Sequence, residues 1–249
     1  MVNESERLFK HINERFVKAF VTYHLLEDDD HVLVGLSGGK DSLLLTELLA
    51  KRARIHHPRF RVEALHVRME NIHYETSPDY LQHFCEDLDV PLHIHTTSFD
   101  SSLSTLHSPL KQKPPCFLCS WYRRKQLFNV AQQLGCNKIA LGHHRDDLIK
   151  TALMNLTFQG RFEAMPARLK MRKMPLTIIR PLCLVDEADI RQYAAMSKYK
   201  KQRKQCPYEH DTNRTSVADL YEAMQRLNPE ARYSLWRAIE NTGKLEEDY

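Results

Sequence analysis

Residues 32–45 read Val-Leu-Val-Gly-Leu-Ser-Gly-Gly-Lys-Asp-Ser-Leu-Leu-Leu, which predicts a buried strand, a tight glycine turn and the first turn of a helix. An apolar run without polar alternation is typical of a strand covered on both faces. Gly38 and Gly39 let the backbone adopt positive φ and approach a ligand closely, and Asp41 and Ser42 are placed to cap the helix. Because free N–H groups at a helix start attract phosphate, this stretch predicts a nucleotide site.

The turn is not a Walker sequence, because Lys40 is followed by Asp41 and the preceding glycine is not at the Walker spacing. Two adjacent glycines alone would also fit an ordinary strand–helix turn. A stronger signal comes from the whole unit, which reads Ser37-Gly38-Gly39-Lys40-Asp41-Ser42. This unit resembles the PP-loop of the N-type ATP pyrophosphatases. The resemblance implies binding of ATP, adenylation of a carbonyl oxygen and release of pyrophosphate.

Length and composition indicate a folded chain without membrane contact. The chain has 249 residues, 42% of them hydrophobic, which is enough for one core with a helical addition. The net charge of +4 permits an anionic partner. No apolar run reaches the length of a membrane span, and the polar residues 1–6 do not form a signal peptide. We therefore expect a cytoplasmic protein whose six cysteines are thiols or metal ligands rather than disulfides.

Strand-like and helix-like segments alternate along the chain, which predicts an α/β fold with a parallel sheet and helices on both faces. The PP-loop resemblance implies the PP-loop ATPase fold, of the adenine nucleotide alpha hydrolase type. The five predicted strands lie at residues 32–36, 60–67, 92–97, 137–141 and 176–180. We expect an N-terminal helix in residues 1–26, the ATPase domain in residues 27–182, and a C-terminal helical region in residues 183–249.

Ligands of parallel sheets bind at the carboxyl ends of the strands, and several candidate residues follow predicted strands. His66 closes the second strand, where it could contact an adenine or a ribose, or could simply lie on the surface. Gly142 follows the fourth strand and opens the sequence Gly-His-His-Arg-Asp-Asp. Its acidic residues, Asp146 and Asp147, suit either Mg²⁺ binding or helix capping.

Cys116 and Cys119 have the spacing of metal ligands and precede a predicted helix at residues 121–134. The pair fits half of a zinc site, a redox dithiol or part of an iron–sulfur site. A zinc site would need a second pair, for which Cys206 and His210 are the candidates. The other cysteines fall in predicted helices or strands, where we expect them to be buried: Cys85, Cys136 and Cys183.

Four further segments resemble the TtcA family of tRNA 2-thiocytidine synthetases. They are residues 115–120 with Arg123 and Arg124, residues 138–147, Gly160 with residues 165–166, and residues 179–182. The similarity runs in the same order over residues 10–240, and Gly-His-His-Arg-Asp-Asp is specific within the wider superfamily. The resemblance implies ATP-dependent replacement of the C2 oxygen of cytidine 32 in the tRNA anticodon loop by sulfur.

The resemblance also implies a set of cofactors and partners. By position, Cys116, Cys119 and Cys206 hold a [4Fe-4S] cluster that leaves one iron open. A sulfur donor is required, either a cysteine desulfurase or a source of sulfide, and a homodimer is expected as in related families. The tRNA phosphates would meet the cations of the predicted loop at residues 160–174 and of the basic run at residues 198–204, so binding should weaken with salt.

Roles for individual residues follow from the chemistry of adenylation. Lys40, the amides of the glycine turn and Mg²⁺ can stabilise the charge that develops on the ATP phosphates. We expect Asp41 and Asp147 around the metal and the reacting phosphate, with Asp146 as a neighbour. Arg123 would steady the adenylate or the tRNA backbone, unless it lies on a solvated helix face.

The sequence departs from the family pattern at one place. Where a second Cys-x-x-Cys is expected, residues 206–209 read Cys-Pro-Tyr-Glu, so Cys206 stands alone or Glu209 serves in place of a thiolate. Two alternative functions remain open at this point. The first is a PP-loop sulfurtransferase that acts on another tRNA base or on a small molecule. The second is a zinc-stabilised tRNA-binding module with a relic nucleotide site.

Overall fold

The computed structural model describes residues 3–70, 73–74, 78–98, 115–200, 204–205 and 213–248. In these ranges the helices are α1 Glu4–Tyr23, α2 Lys40–Ala53, α3 Asp79–Glu86, α4 Pro115–Gln133, α5 Arg145–Gln159, α6 Glu187–Met196, α7 Asn213–Leu227 and α8 Ala231–Glu240. The strands are β1 His31–Gly35, β2 Arg61–Met69, β3 His73–Tyr74, β4 Leu92–Thr97, β5 Lys138–Ala140, β6 Arg168–Lys170, β7 Thr177–Ile179, β8 Lys204–Gln205 and β9 Glu246–Asp248. None of the described helices combines the length and the apolar composition that a membrane span requires.

Seven strands form one sheet in the order β4-β2-β1-β5-β7-β6-β9. β2 pairs in parallel with both β1 and β4, whereas β6 is antiparallel to β7 and parallel to β9. The predicted α/β fold is confirmed, and its five strands correspond to β1, β2, β4, β5 and β7. The predicted strand number was too low, because β6 lies in the expected basic loop and β9 near the end of the chain. Both are three residues long and carry charged side chains, so no hydrophobic periodicity indicates them.

The chain divides into two compact units, which are described separately. Unit 1 consists of Met1–Asp28, Ala140–Tyr199 and Asp211–Tyr249, and unit 2 of Asp29–Ile139 and Lys200–His210. The domain boundaries expected from the sequence stay a prediction.

In unit 2, burial fixes the strand and the helix on either side of the glycine turn. Val32, Leu33 and Val34 of β1 are fully buried, as are Leu43–Leu45 of α2. Each such side chain stabilises the fold by about 1.5–3 kcal/mol. β1 pairs in register with β2 up to Gly35 and Leu65, and the N–H of Leu36 donates to the carbonyl of Leu65 at 2.9 Å. The turn therefore starts from the carboxyl end of a strand that is held in the sheet.

In unit 1, α1 packs against α6, and α5 packs against both α7 and α8. The predicted N-terminal helix is confirmed, and a reciprocal capping box between Asn3 and Glu6 begins it. The predicted C-terminal helical region contains α6, α7 and α8. Tyr221 of α7 and Trp236 of α8 are buried against the start of α5, where the Tyr221 hydroxyl bonds to Asp146 and the Arg145 guanidinium lies 5.7 Å from the Trp236 ring centre.

Candidate active site

The glycine turn leaves the start of α2 without a side-chain cap. Gly38 has a φ of 81°, and Gly39 is the N-cap residue with extended backbone and no side-chain cap hydrogen bond. The Ser42 hydroxyl instead donates to the Gly39 carbonyl at 2.9 Å and accepts from the N–H of Ser37 at 3.2 Å. The expectation that Asp41 and Ser42 cap the helix is therefore wrong. A helix start without a side-chain cap suits the binding of a phosphate.

Lys40 and Asp41 form an ion pair at the first turn of α2. The Lys40 Nζ lies 2.9 and 3.1 Å from the two carboxylate oxygens of Asp41. The two side chains are 29% and 30% exposed, and an ion pair of that exposure contributes no more than about 1 kcal/mol. The Lys40 ammonium can therefore exchange this carboxylate for a phosphate oxygen at little cost.

His66 is buried beside the turn, with only 1% of its surface exposed, so the alternative of a surface position is wrong. Its Nδ1–H donates to the Leu36 carbonyl at 2.7 Å, which leaves Nε2 as the unprotonated ring nitrogen. Burial lowers the pKa of His66, and the charges of Arg123 and Arg68 lower it further, although the bond to Leu36 opposes the shift. A neutral His66 thus ties β2 to the point where β1 enters the glycine turn.

Replacing His66 by asparagine is expected to flatten the pH dependence of stability. Because the native pKa lies below the usual 6.5, the unfolded chain binds the proton first and wild-type stability falls as the pH drops below that value. The Asn Nδ2–H can keep the bond to Leu36 but does not titrate. Chemical denaturation between about pH 5 and 7 measures the slope of the free energy of unfolding against pH.

His83→Asn is the matched control, because His83 makes a similar Nδ1 bond at 2.7 Å to the Asp79 carbonyl from an exposed helix position. We expect this variant to keep the wild-type slope. Equal slopes for wild type and His66→Asn would contradict the neutral state assigned to His66.

The cysteine pair lies within α4 and not before it, because the helix begins at Pro115. Cys116 and Cys119 are therefore one turn apart on one side of the helix, and Arg123 follows on the same side one turn later. Cys119 packs with Leu118 and Tyr122 of α4 against Met69, the last residue of β2. The pair thus sits at the carboxyl end of the parallel strands of unit 2.

The other described cysteines differ sharply from this pair. Cys116 is exposed and Cys119 half-buried, whereas the remaining three are buried. Burial raises the pKa of Cys85, Cys136 and Cys183 to about 12, so these thiols stay protonated and are poor metal ligands. The prediction that these three are buried is confirmed.

The donor set at the start of α4 fits an iron–sulfur cluster. Two accessible thiols one turn apart provide the soft ligands that such a cluster requires. The predicted third ligand, Cys206, lies outside the described residues, directly after β8, which pairs with β3. Within the described ranges, no group of three His, Cys, Asp or Glu side chains is arranged to hold a metal ion. The proposed second half of a zinc site also falls outside those ranges.

In unit 1, the sequence Gly-His-His-Arg-Asp-Asp forms the entry into α5. Asp146 is buried, and both of its oxygens accept hydrogen bonds within the protein, from the N–H of Glu187 at 2.8 Å and the hydroxyl of Tyr221 at 3.1 Å. These bonds give Asp146 a role in the fold of unit 1, and its place as a neighbour of the metal stays a prediction. Sequence reasoning missed Tyr221, for which no motif gives a signal.

Asp147 has the opposite environment. Its carboxylate accepts from the N–H of His144 at 3.2 Å, which caps α5, and its side chain is 31% exposed. Gly142 lies in the same segment, ahead of the helix. Asp147 belongs to unit 1 whereas Asp41 belongs to unit 2, so their grouping around one metal stays a prediction.

The predicted basic surfaces are partly committed to the fold. Arg168 pairs with Glu246 at 3.1 Å and with Asp248 at 3.8 Å, which holds β6 against β9. The other cations of residues 160–174 are exposed: Arg161, Lys170, Arg172 and Lys173. Of the basic run at residues 198–204, Lys198 and Lys200 are exposed, and most of the remainder lies outside the described residues.

Comparison with known proteins identifies the family of this chain. The family model of the PP-loop domain matches residues 8–218. A tRNA-cytidine(32) 2-sulfurtransferase of Paraburkholderia xenovorans is 35% identical over 198 residues, which cover 79% of this chain and 57% of that protein. One from Bordetella avium is 32% identical over 240 residues, which cover 95% of this chain and 74% of the relative.

A solved structure shows a similar fold. The U34-tRNA thiolase NcsA from Methanococcus maripaludis, with its [4Fe-4S] cluster, superposes with a TM-score of 0.74 at 27% identity, covering 96% of this chain and 79% of that chain. The chain spans only 57% of the length of some curated relatives. The family match nevertheless covers most of it, and the chain therefore belongs to the PP-loop domain family and, within it, to the family of the tRNA-cytidine(32) 2-sulfurtransferases.

Proposed function

We propose that this protein is an ATP-dependent tRNA thiolase that replaces the C2 oxygen of cytidine 32 by sulfur. The observation that carries the proposal is that one strand of unit 2 contacts both the glycine turn and the cysteine helix. His66 of β2 bonds to Leu36 at the turn, and Met69 of β2 contacts Cys119. His66 and Met69 lie three positions, about 10 Å, apart along β2, so the nucleotide proposed in the turn and the sulfur site proposed at the thiols would both lie near the carboxyl end of this strand.

The reaction needs activation because a pyrimidine carbonyl oxygen is a poor leaving group. The C2 oxygen attacks the α-phosphorus of ATP, the bond to the β-phosphate breaks, and pyrophosphate leaves. A sulfur nucleophile then adds to C2, and the C2–O bond breaks with AMP as the leaving group. Sulfur at the oxidation level of sulfide makes this exchange redox-neutral, whereas a persulfide donor requires two further electrons.

The glycine turn supplies the charge stabilisation for the first half of this reaction. The uncapped amides after Gly39 and the ammonium of Lys40 face the negative charge of the phosphates. We propose Asp41 and Asp147 as ligands of the Mg²⁺ that accompanies ATP, because both carboxylates are partly exposed oxygen donors. Ser37, Ser42, His66 and Gly142 complete the proposed nucleotide site.

Cys116, Cys119 and Cys206 are the proposed ligands of the [4Fe-4S] cluster. When bound, such a cluster with three protein ligands offers one iron at which sulfur can be held. Arg123 follows the two thiols on the same face of α4, and its charge is one of those that lower the pKa of His66. We propose that its guanidinium holds an anionic phosphate between the two sites.

The exposed cations of residues 160–174 and Lys198 are the proposed contacts to tRNA phosphates. A cytoplasmic location follows from this substrate.

We propose that the sulfur comes from a cysteine desulfurase or from sulfide. Thiolation reactions supplied with cysteine and a desulfurase, or with sulfide alone, distinguish the two donors. The family resemblance also supports a homodimer, which light scattering tests.

Nucleoside analysis of tRNA tests the proposed reaction. Anaerobically purified protein is incubated with ATP, Mg²⁺, sulfide and a tRNA transcript that carries cytidine 32, beside a transcript in which this base is uridine. We expect 2-thiocytidine only in the first transcript, with AMP and pyrophosphate in equal amounts. Absence of 2-thiocytidine from iron-loaded protein that still releases pyrophosphate would overturn the choice of base.

The structural similarity to NcsA favours a second candidate, thiolation of uridine 34, because that protein is a U34-tRNA thiolase. The same digests reveal 2-thiouridine if this candidate is correct. A zinc-stabilised tRNA-binding module would instead hold zinc, bind tRNA and release no pyrophosphate.

A further inference from the structure

The N-terminal turn of α5 is held by one backbone N–H and two side chains from three later helices. Asp146 accepts from the Glu187 N–H at the start of α6 and from the Tyr221 hydroxyl of α7, at 2.8 and 3.1 Å. The Nε of Arg232, in α8, lies 3.5 Å from the same carboxylate. Each oxygen of Asp146 therefore has a protein partner, and the side chain has little freedom to move.

The neighbouring Arg145 is the other end of the same network, and the backbone between Arg145 and Asp146 completes the ring. Arg145 donates to Asp186 at 2.9 Å and to the Leu184 carbonyl at 2.7 Å. Asp186 in turn lies 3.3 Å from Arg232. The ring thus alternates two guanidinium groups with two carboxylates and is neutral overall. Because the partners are buried or half-buried, losing one leaves a desolvated charge without compensation.

Burial raises the pKa of Tyr221, and the charge of Asp146 raises it further. The phenol therefore stays protonated and acts only as a donor to Asp146. The next residue in the same helical turn is Asp147, whose side chain is 31% exposed and whose carboxylate lies 3.2 Å from the N–H and 3.4 Å from the Nε2 of His144. The position of Asp147 is consequently set by the anchoring of Asp146.

We infer that Tyr221 and Arg232 are positioning residues, which act through Asp146 to hold the Asp147 carboxylate in place for magnesium and ATP. The inference rests on the proposed function, since it assigns Asp147 to the metal site. It gives the C-terminal helices α7 and α8 a role in nucleotide binding although neither carries a residue of the predicted site. Partners that orient a metal ligand typically change metal affinity or activity by about 10- to 100-fold when removed.

The test measures ATP affinity by calorimetry in the presence of Mg²⁺ and in the presence of EDTA. For Tyr221→Phe and for Arg232→Gln, we expect the Kd with Mg²⁺ to rise about tenfold or more and the Kd in EDTA to stay at the wild-type value. Tyr23→Phe is the matched control, because Tyr23 is a buried tyrosine of the same unit whose hydroxyl donates to Glu240 at 3.3 Å. It should lower the melting temperature similarly but leave both affinities unchanged.

Asp147→Asn separates the possible failures. If it weakens Mg²⁺-dependent binding, and Tyr221→Phe added to it has no further effect, the inference is supported. If Asp147→Asn weakens binding but Tyr221→Phe and Arg232→Gln behave like Tyr23→Phe, the positioning role is overturned. If Asp147→Asn itself has no effect, the metal assignment fails and the inference fails with it. If the wild-type protein binds ATP with the expected dependence on Mg²⁺ but does not thiolate tRNA, the proposed function alone is overturned.

Discussion

Replacing Gly39 by aspartate is expected to abolish ATP binding while the fold stays as stable as the wild type. The Gly39 backbone is extended, with φ −84° and ψ 160°, which any residue adopts. An added Cβ would meet only the Ser37 Oγ, at an ordinary distance of 3.5 Å. At an N-cap position, exchanging glycine for aspartate changes the free energy of unfolding by only about 0.3 kcal/mol. The new carboxylate would nevertheless occupy the first-turn amides and repel the phosphates of ATP.

Calorimetric titration with ATP and thermal unfolding measure the two effects side by side. Gly39→Ser is the control, because it adds a capping oxygen without a charge and should weaken ATP binding less than Gly39→Asp does. If this segment is an ordinary strand–helix turn, the Gly39 variants will show the same small change in stability, but neither they nor the wild type will bind ATP. Wild-type ATP affinity in Gly39→Asp would contradict a phosphate site at this turn.

Cys119→Ala is expected to remove the bound iron and abolish tRNA thiolation, while ATP affinity stays close to that of the wild type. Cys119 and the glycine turn lie on different elements, and the contact of Cys119 with Met69 is separate from the bond of His66 to Leu36, so the loss of a thiol at α4 leaves the nucleotide site assembled. Cys206→Ala should behave in the same way if it supplies the third ligand. Iron and sulfide analysis of anaerobically purified protein, with ATP titration, measures both outcomes.

Ser120→Ala is the matched control for this variant. Ser120 is exposed on the same turn of α4 and accepts only a long hydrogen bond, at 3.2 Å, from Arg124. It should keep the wild-type iron content. Full iron in Cys119→Ala would contradict the ligand assignment, and loss of ATP binding together with the iron would show that the two sites are not separate.

The local chemistry of residues 32–45 made this part of the fold predictable. Apolar residues without alternation, followed by two glycines, specify strand, turn and helix within one short segment, and β1 and α2 lie where they were predicted. The start of α4 was missed although a signal existed. Proline is favoured at the first position of a helix, and Pro115 stands there, directly before the cysteines.

The different environments of Asp146 and Asp147 could not be read from their order in the sequence. Both are acidic residues in the first turn of one helix, and only the tertiary partners Tyr221 and Arg232 separate them. Those partners lie 75 and more residues away and belong to no local pattern. For the same reason the burial of His66 was not predictable, because it depends on the pairing of β2 with β1.

The ion pair between Lys40 and Asp41 bears on the selectivity of the turn among anions. A simple anion such as chloride or inorganic phosphate can compensate only the lysine, so its binding competes with the existing pair. The complex of ATP with magnesium offers a partner to both side chains at once, since a phosphate oxygen replaces the carboxylate and the metal replaces the ammonium. Because an ion pair of this exposure contributes no more than about 1 kcal/mol, it disfavours these small anions by roughly fivefold at most, and magnesium should raise the affinity of the turn for ATP.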